Sequence, residues 1–213
     1  MEDKAGNKKI DAIIFDLDGT LWNTVDSCLK ATRFVKDKHS DITKGVTKEQ
    51  IELAMGKTSD EIVDIYYGYL PREKGEEYAN EAFNKNVENL LKEGGTLYPN
   101  TRETILSLSK KYKLYIVSNC VDGYIESFLN TSGLKDYFDD YESYGRTLLN
   151  KGENIKLVIS RNNLKNPIYV GDTRGDMEAS YYAGIPFVYA AYGFGDVDSF
   201  DYKIDNISEL LDL

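Results

Sequence analysis

Ile10-Asp11-Ala12-Ile13-Ile14-Phe15-Asp16-Leu17-Asp18-Gly19-Thr20 is the stretch on which the reading of this chain turns. Its apolar run, broken only by Asp11, has the length and β-branched content of a buried strand. Two carboxylates two residues apart then emerge into a glycine turn. A buried strand end holds side chains rigidly, and α/β folds bind ligands outside the carboxyl ends of their parallel strands. Asp, Gly and Thr are also ordinary turn residues, so the bland reading is a strand followed by an acidic turn. The functional reading is a carboxylate nucleophile beside a carboxylate acid, with backbone N–H groups free to meet an anion.

Beyond this stretch the pattern turns helical. Residues 26–38 carry apolar side chains at helical spacing. Thr47-x-x-Gln50 and Thr58-x-x-Glu61 read as capping boxes that open two further helices. Pro71 suits a connection, residues 73–92 read as a long helix, and Gly94-Gly95 ends it. Residues 22–94 therefore form a helical insertion with no obvious strand. From Tyr98-Pro99 the chain alternates: helix near 100–111, strand 113–117, helix near 122–132, strand 140–143, helix 151–162, strand 167–170, helix 174–183, strand 186–189. A short strand at 202–204 and a helix over 207–211 close it. Such alternation predicts a parallel α/β sheet covered on both faces.

Later strand ends are polar as well. The strand at 113–117 runs into Ser118-Asn119, where a hydroxyl and an amide suit a phosphoryl oxygen and also suit a plain turn. The strand at 167–170 runs into Gly171-Asp172-Thr173-Arg174-Gly175-Asp176. Either carboxylate there suits a helix cap; together they suit Mg²⁺, which takes hard oxygen ligands. Lys151 opens a helix, where the macrodipole disfavours a cation. By position alone it reads as one of many exposed lysines. A broken local rule can equally mark a functional residue.

Composition narrows the chemistry. The 213 residues carry a net charge of −10, which disfavours nucleic acid as a partner and obliges any anion site to bring its own cation. No apolar stretch reaches the length of a membrane span, and the N-terminal residues show no signal-peptide pattern, so a cytoplasmic protein with no membrane contact is expected. Two cysteines, Cys28 and Cys120, are too few for a disulfide scaffold. His39 is the only histidine and lies in a charged run, read as a solvated helix end. Its isolation excludes most Ser-His-Asp and Cys-His schemes and disfavours zinc sites built from several histidines.

Taken in order, Asp16-x-Asp18-Gly19-Thr20, Ser118-Asn119, Lys151 and Gly171-Asp172-x-x-x-Asp176 resemble the four motifs of the haloacid dehalogenase superfamily, in its phosphoglycolate phosphatase-like and β-phosphoglucomutase-like branch. The resemblance spans nearly the whole chain. It implies a Rossmann-like three-layer core over 1–21 and 95–213, with residues 22–94 as a helical cap. It implies that Asp16 attacks phosphorus to give an aspartyl-phosphate and that Asp18 is the general acid and base. Asp16, the Asp18 carbonyl, Asp172 and Asp176 would hold Mg²⁺. Gly19, Thr20, Ser118, Asn119 and Lys151 would hold the phosphoryl group. Asp18 favours phosphate over carbon–halogen chemistry, since only the former has a leaving oxygen to protonate. Cys120 stands where many relatives carry Lys. In the cap, Lys57 of Met55-Gly56-Lys57-Thr58 suits a substrate contact, though a loop lysine reads as solvated; Tyr66, Tyr67 and Tyr69 suit either the cleft or the cap core. Tyr192-Gly193-Phe194-Gly195 is placed to frame the entrance. The expected activity is a phosphatase acting on a small phosphorylated metabolite, as a monomer or weak homodimer. The alternatives are a sugar phosphomutase with the same catalytic residues and a non-catalytic binding protein.

Overall fold

The structure is a computed structural model and describes residues 9–213. The N-terminal stretch read above for targeting signals lies outside the described residues. In chain order the elements are β1 Ala12–Phe15, β2 Trp22–Asn23, α1 Val25–Lys38, α2 Lys48–Ala54, α3 Ser59–Tyr67, α4 Arg72–Glu93 and β3 Thr96–Leu97. There follow α5 Thr101–Leu108, β4 Lys113–Ser118, α6 Tyr124–Ser132, β5 Asp140–Ser143, α7 Tyr144–Thr147, α8 Lys151–Arg161, β6 Pro167–Gly171, α9 Arg174–Ala183, β7 Phe187–Ala190 and β8 Tyr202–Ile204. A 3₁₀ helix, Ile207–Asp212, ends the chain where an α-helix was expected.

Six strands form one sheet in the order β5-β4-β1-β6-β7-β8, and every pairing is parallel. β1 is central and wholly buried, which is why its sequence is continuously apolar rather than alternating. Its side chains still divide by parity: Ile13 and Phe15 enter the core on one face, Ala12 and Ile14 the core on the other. Truncating one of them, as in Ile14→Ala, removes fully buried methyl groups and would cost about 2–5 kcal/mol. The Asp11 carboxylate anchors the lower end, accepting from the backbone N–H groups of Lys165 and Asn166 at 2.7 and 2.9 Å.

Chain order explains where a ligand can go. From β1 the sheet grows outward through β4 and β5, then reverses to the far side of β1 with β6, β7 and β8. The crevice at that reversal is the usual binding place of an open parallel sheet. Register levels the strand ends: Phe15 pairs with Ile116 on one side and Val170 on the other. Residues 16, 118 and 172 therefore leave the sheet at nearly the same height.

Helices α1–α4 pack on one another around Val35, Ile51, Tyr67 and Ala79, a hydrophobic cluster separate from the two beside the sheet. Thr47 and Gln50 close a reciprocal cap, and the Thr58 N–H donates to Glu61 at 2.9 Å, as the capping-box spacing predicts. Sequence reading missed a two-stranded antiparallel ribbon of β2 and β3, which joins the segment's two ends. His39 is not the solvated residue expected from its charged neighbours. Its imidazole is half-buried, lies 2.6 Å from the Glu81 carboxylate and stacks on Tyr78 at 4.4 Å. The three tyrosines divide: Tyr67 is packed in this helical core, Tyr66 lines a cavity, and Tyr69 is exposed. No helix among the described residues is long and apolar enough to cross a membrane.

Candidate active site

After Phe15 the backbone makes a tight turn, with the Leu21 N–H donating to the Leu17 carbonyl at 2.9 Å and the Gly19 N–H to the Trp22 carbonyl at 3.0 Å. Leu17 and Leu21 are fully buried, so the turn is clamped by its own apolar residues while Asp16 and Asp18 project toward the crevice. Gly19 has φ +84°, and a Cβ built there would lie 2.1 Å from Oδ2 of Asp172. Only glycine lets the turn from β1 pass this close to the carboxylate from β6.

Asp16, Asp172 and Asp176 each bring a carboxylate oxygen to one place, all within 4.8 Å of one another and all buried. Lys151 reaches them from the first turn of α8, its Nζ donating to Asp16 Oδ1 at 2.8 Å and to Asp176 Oδ1 at 2.6 Å. Its unfavourable place on the helix is thereby explained, and the exposed reading of this lysine is corrected: it is 5% exposed. Burial works against the ammonium, but Asp16 and Asp176 outweigh it and keep Lys151 protonated.

Asp176 also fulfils the capping role. Its Oδ2 accepts from the N–H of Thr173 at 2.9 Å and from the Thr173 hydroxyl at 2.6 Å. Its Oδ1 lies within reach of the Tyr169 hydroxyl, at 3.2 Å, as well as of Lys151. Both its oxygens are thus committed to protein donors. Asp172 differs: Oδ2 accepts from the Phe194 N–H at 2.7 Å, whereas Oδ1 is buried without a partner. Oδ2 of Asp16 is likewise buried and unpartnered. Buried carboxylate oxygens without donors cost several kcal/mol unless a cation meets them. Two orphaned hard oxygens beside a third carboxylate suit a divalent cation such as Mg²⁺, and Asp16 and Asp172 are the side chains with oxygens to give it. In the protein alone, burial pushes Asp16 up to about 7, against the pull of Lys151. Burial, with Asp176 and Asp16 nearby, raises Asp172 well above the usual carboxylate range.

Asp18 stands apart from this cluster and faces the cavity. Its Oδ1 accepts from the Thr24 hydroxyl at 2.7 Å and from the Tyr124 hydroxyl at 3.0 Å. Enclosure pushes its carboxyl up to about 6, and these two donors hold it from rising further. The main cause is burial rather than the neighbouring Asp16. Thr24 and Tyr124 escaped sequence reading. Thr24 is the N-cap residue of α1, yet its side chain makes no cap bond and turns to Asp18 instead.

The remaining nominated residues are spread around the site. Gly19 lies against Asp172, and Ser118 lines the cavity that Asp18 also lines; Thr20 is fully buried and its hydroxyl has no partner. Asn119 donates from Nδ2 to the Gly56 carbonyl at 3.0 Å, so it ties the strand end to the helical segment, while its own Oδ1 is buried and unpartnered. Lys57 is nearly half exposed and pairs with Glu61 at 3.4 Å on the rim of the cavity. The stretch 192–195 forms the wall behind Asp172 more than an entrance. A Cβ on Gly193 would lie 2.2 Å from that of Asp172, and the Tyr192 hydroxyl donates to the Thr20 carbonyl at 2.9 Å.

A sequence model of the family described as haloacid dehalogenase-like hydrolase matches residues 13–190. The phosphoglycolate phosphatase of Photorhabdus laumondii is 26% identical over 229 residues, covering 96% of this chain and 92% of its own. The Aquifex aeolicus protein of the same name is 27% identical over 216 residues, covering 94% and 95%. A crystal structure described as a predicted phosphoglycolate phosphatase from Haemophilus somnus superposes with a TM-score of 0.84 at 22% identity, over 97% of this chain and 99% of that one. A haloacid dehalogenase-like hydrolase from Streptococcus pneumoniae gives 0.83 at 21% identity, over 95% and 97%. At such identities the superpositions speak for the fold.

Proposed function

This chain belongs to the haloacid dehalogenase-like hydrolases, and from that premise we propose that it is a Mg²⁺-dependent phosphatase acting on a small phosphorylated metabolite through an aspartyl-phosphate. The observation that carries the reading is the asymmetry of Asp16: one oxygen is fixed by Lys151, and the other is buried and uncommitted beside the orphaned oxygen of Asp172. A bound Mg²⁺ would be held by Asp16 and Asp172 and would supply charge neutralisation for the incoming phosphoryl group.

In the first displacement the Asp16 carboxylate attacks phosphorus while the bond from phosphorus to the leaving oxygen breaks. The leaving oxygen takes its proton from Asp18, whose Oδ1 is held by Thr24 and Tyr124, so Oδ2 is the oxygen left for proton traffic. A carboxyl raised to about 6 can carry that proton near neutral pH. In the second displacement water attacks the phosphoryl group, Asp18 takes the water's proton, and Asp16 is restored as phosphate departs. Lys151, with the backbone N–H groups of the turn, positions the phosphoryl oxygens and offsets their charge. Residues 22–94 act as a cap that excludes water from this centre.

The test is release of inorganic phosphate from a metabolite panel with Mg²⁺ or a chelator, using wild-type protein and Asp16→Asn. Release that needs Mg²⁺ and disappears in the variant is the expected result. Release that survives Asp16→Asn would overturn the mechanism. With β-glucose 1-phosphate, glucose 6-phosphate formed without free phosphate would identify a mutase instead.

A further inference from the structure

We propose that Asn119 selects the leaving group of this site, and that the group is a short hydroxyalkyl, the alcohol of a small diol or triol, whose free hydroxyl donates to Oδ1 of Asn119. The inference rests on the phosphatase reading and specifies its substrate class. A cavity of about 80 Å³ opens beside Asp18, between the helical segment and the end of β4. Since Asp18 protonates the leaving oxygen, the carbon skeleton attached to that oxygen enters this cavity. Asn119, the residue after β4, lines it. Its Nδ2 donates to the Gly56 carbonyl at 3.0 Å. Only the nitrogen of an amide can donate to a carbonyl, so this bond fixes which way the amide faces. Oδ1 is left buried and, among the described residues, without a partner. A buried acceptor in that state carries a desolvation cost that an incoming donor removes.

A hydroxyl brings the proton that Oδ1 needs. A carboxylate has none and would face it oxygen to oxygen, in a protein of net charge −10. A methyl group of the same size leaves the acceptor unpaired and the cost in place. Other polar residues on the wall suit a hydroxyl too: Ser59, Tyr66 and Ser118 line the cavity, and a hydroxyl can accept as well as donate. Among the described residues Lys57 is the only cation on the wall. It lies on the rim, nearly half exposed, where an ion pair with a leaving carboxylate is worth little. Size sets the other bound. The space is roughly half of a cavity that takes up benzene, which suits about three to five non-hydrogen atoms. A hydroxyethyl or dihydroxypropyl group fits that space, and a hexose overfills it.

The reaction balances as an ordinary hydrolysis: the P–O bond of the ester breaks, the alcohol leaves with the proton of Asp18, and water supplies the oxygen of free phosphate. The test uses the whole protein with Mg²⁺ and a matched set of esters. 2-Hydroxyethyl phosphate and n-propyl phosphate differ by a hydroxyl in place of a methyl, so volume does not decide between them. Glycerol 1-phosphate and 2-phosphoglycolate complete the set. The expected result is a kcat/KM at least about tenfold higher for the two hydroxyl esters than for the other two, carried by KM. In Asn119→Leu the preference for 2-hydroxyethyl over n-propyl phosphate should fall by about tenfold, towards unity. Losing the contact with Gly56 would slow both esters alike, and the intrinsic reactivity of the two alcohols is the same in both proteins, so the ratio reports on Oδ1. Equal or better use of n-propyl phosphate or 2-phosphoglycolate by the wild type would overturn this inference and leave the phosphatase reading standing, and that result needs no variant. A ratio unchanged in Asn119→Leu would overturn it as well. So would silence toward all four esters while other metabolites of the wider panel release phosphate. No Mg²⁺-dependent release from any ester would remove both readings.

Discussion

The two walls of the site are built of opposite materials. The sheet wall is crowded with charge: three carboxylates and one ammonium, all buried, converge at strand ends held by β-ladder hydrogen bonds. The helical wall carries one charge, Lys57 on the rim, and consists largely of small and apolar side chains, with Asn86 and Thr32 turned to the protein. The difference separates two tasks. Electrostatic work at phosphorus needs fixed dipoles and charges that do not reorganise, which a central parallel strand provides. Choice of leaving group needs shape, desolvation and single hydrogen bonds, which a packed helical layer and the side chains at its edge can supply and vary without disturbing the chemistry.

The strongest way to break this division is to remove the carboxylate of Asp16, which carries one of the charge wall's two uncommitted oxygens. Asp16→Asn is expected to lower phosphate release by about 10⁴-fold or more, measured as kcat at saturating substrate, because in the proposed mechanism no other group replaces the nucleophile. Lys151→Met follows. It strips the shared counter-ion from two buried carboxylates, so a stability loss of about 3–5 kcal/mol in denaturant unfolding is expected, along with severe loss of activity. Gly19→Ala is expected to abolish the rise in Tm on adding Mg²⁺, since the new methyl would displace Asp172.

A milder test uses pH. The carboxyl of Asp16 stands at about 7 in the folded protein against 3.8 ordinarily. A raised carboxyl stabilises the fold fully below about pH 4, and that contribution is lost as pH rises through 7. Without divalent cations the protein should therefore melt lower at pH 8 than at pH 5.5. Millimolar Mg²⁺ should close the gap by binding only the folded state, as differential scanning fluorimetry would read. The smallest effect belongs to the junction of the two walls. Tyr124→Phe removes one of two hydrogen bonds to Asp18, and a threefold to tenfold fall in kcat is expected, about the worth of one ordinary hydrogen bond.

Sequence made the charged wall far more legible than the apolar one. Asp16 and Asp172 stand just past strand ends, Asp18 in the turn after β1 and Asp176 in the first turn of α9, and strand 140–143 and helix 174–183 begin and end where periodicity places them. Lys151 was visible as a residue on the wrong end of a helix, but its burial depends on partners as far as 135 residues away in the chain. Tyr169 looked like any strand residue, and only the fold brings its hydroxyl to Asp176. Thr24 and Tyr124 meet across 100 residues at Asp18, a contact that no local pattern announces. The β2–β3 ribbon has two residues a side, too short to show a period. The cavity was least legible of all, because it is a property of packing: Ala31, Ile62 and Phe83 would read identically if they filled a core.

The β2–β3 ribbon has a consequence for how such a molecule can change. Trp22 pairs with Leu97 and Asn23 with Thr96, so the chain departs for the helical layer and comes back through a doorway one strand-pair wide. Seen from the sheet, everything between is equivalent to the loop of a hairpin, and its length costs the sheet little in closure entropy. The helices can thus be lengthened, trimmed or exchanged wholesale between these two couplings, and a protein engineer would cut there to transplant a new selectivity filter onto an untouched reaction centre.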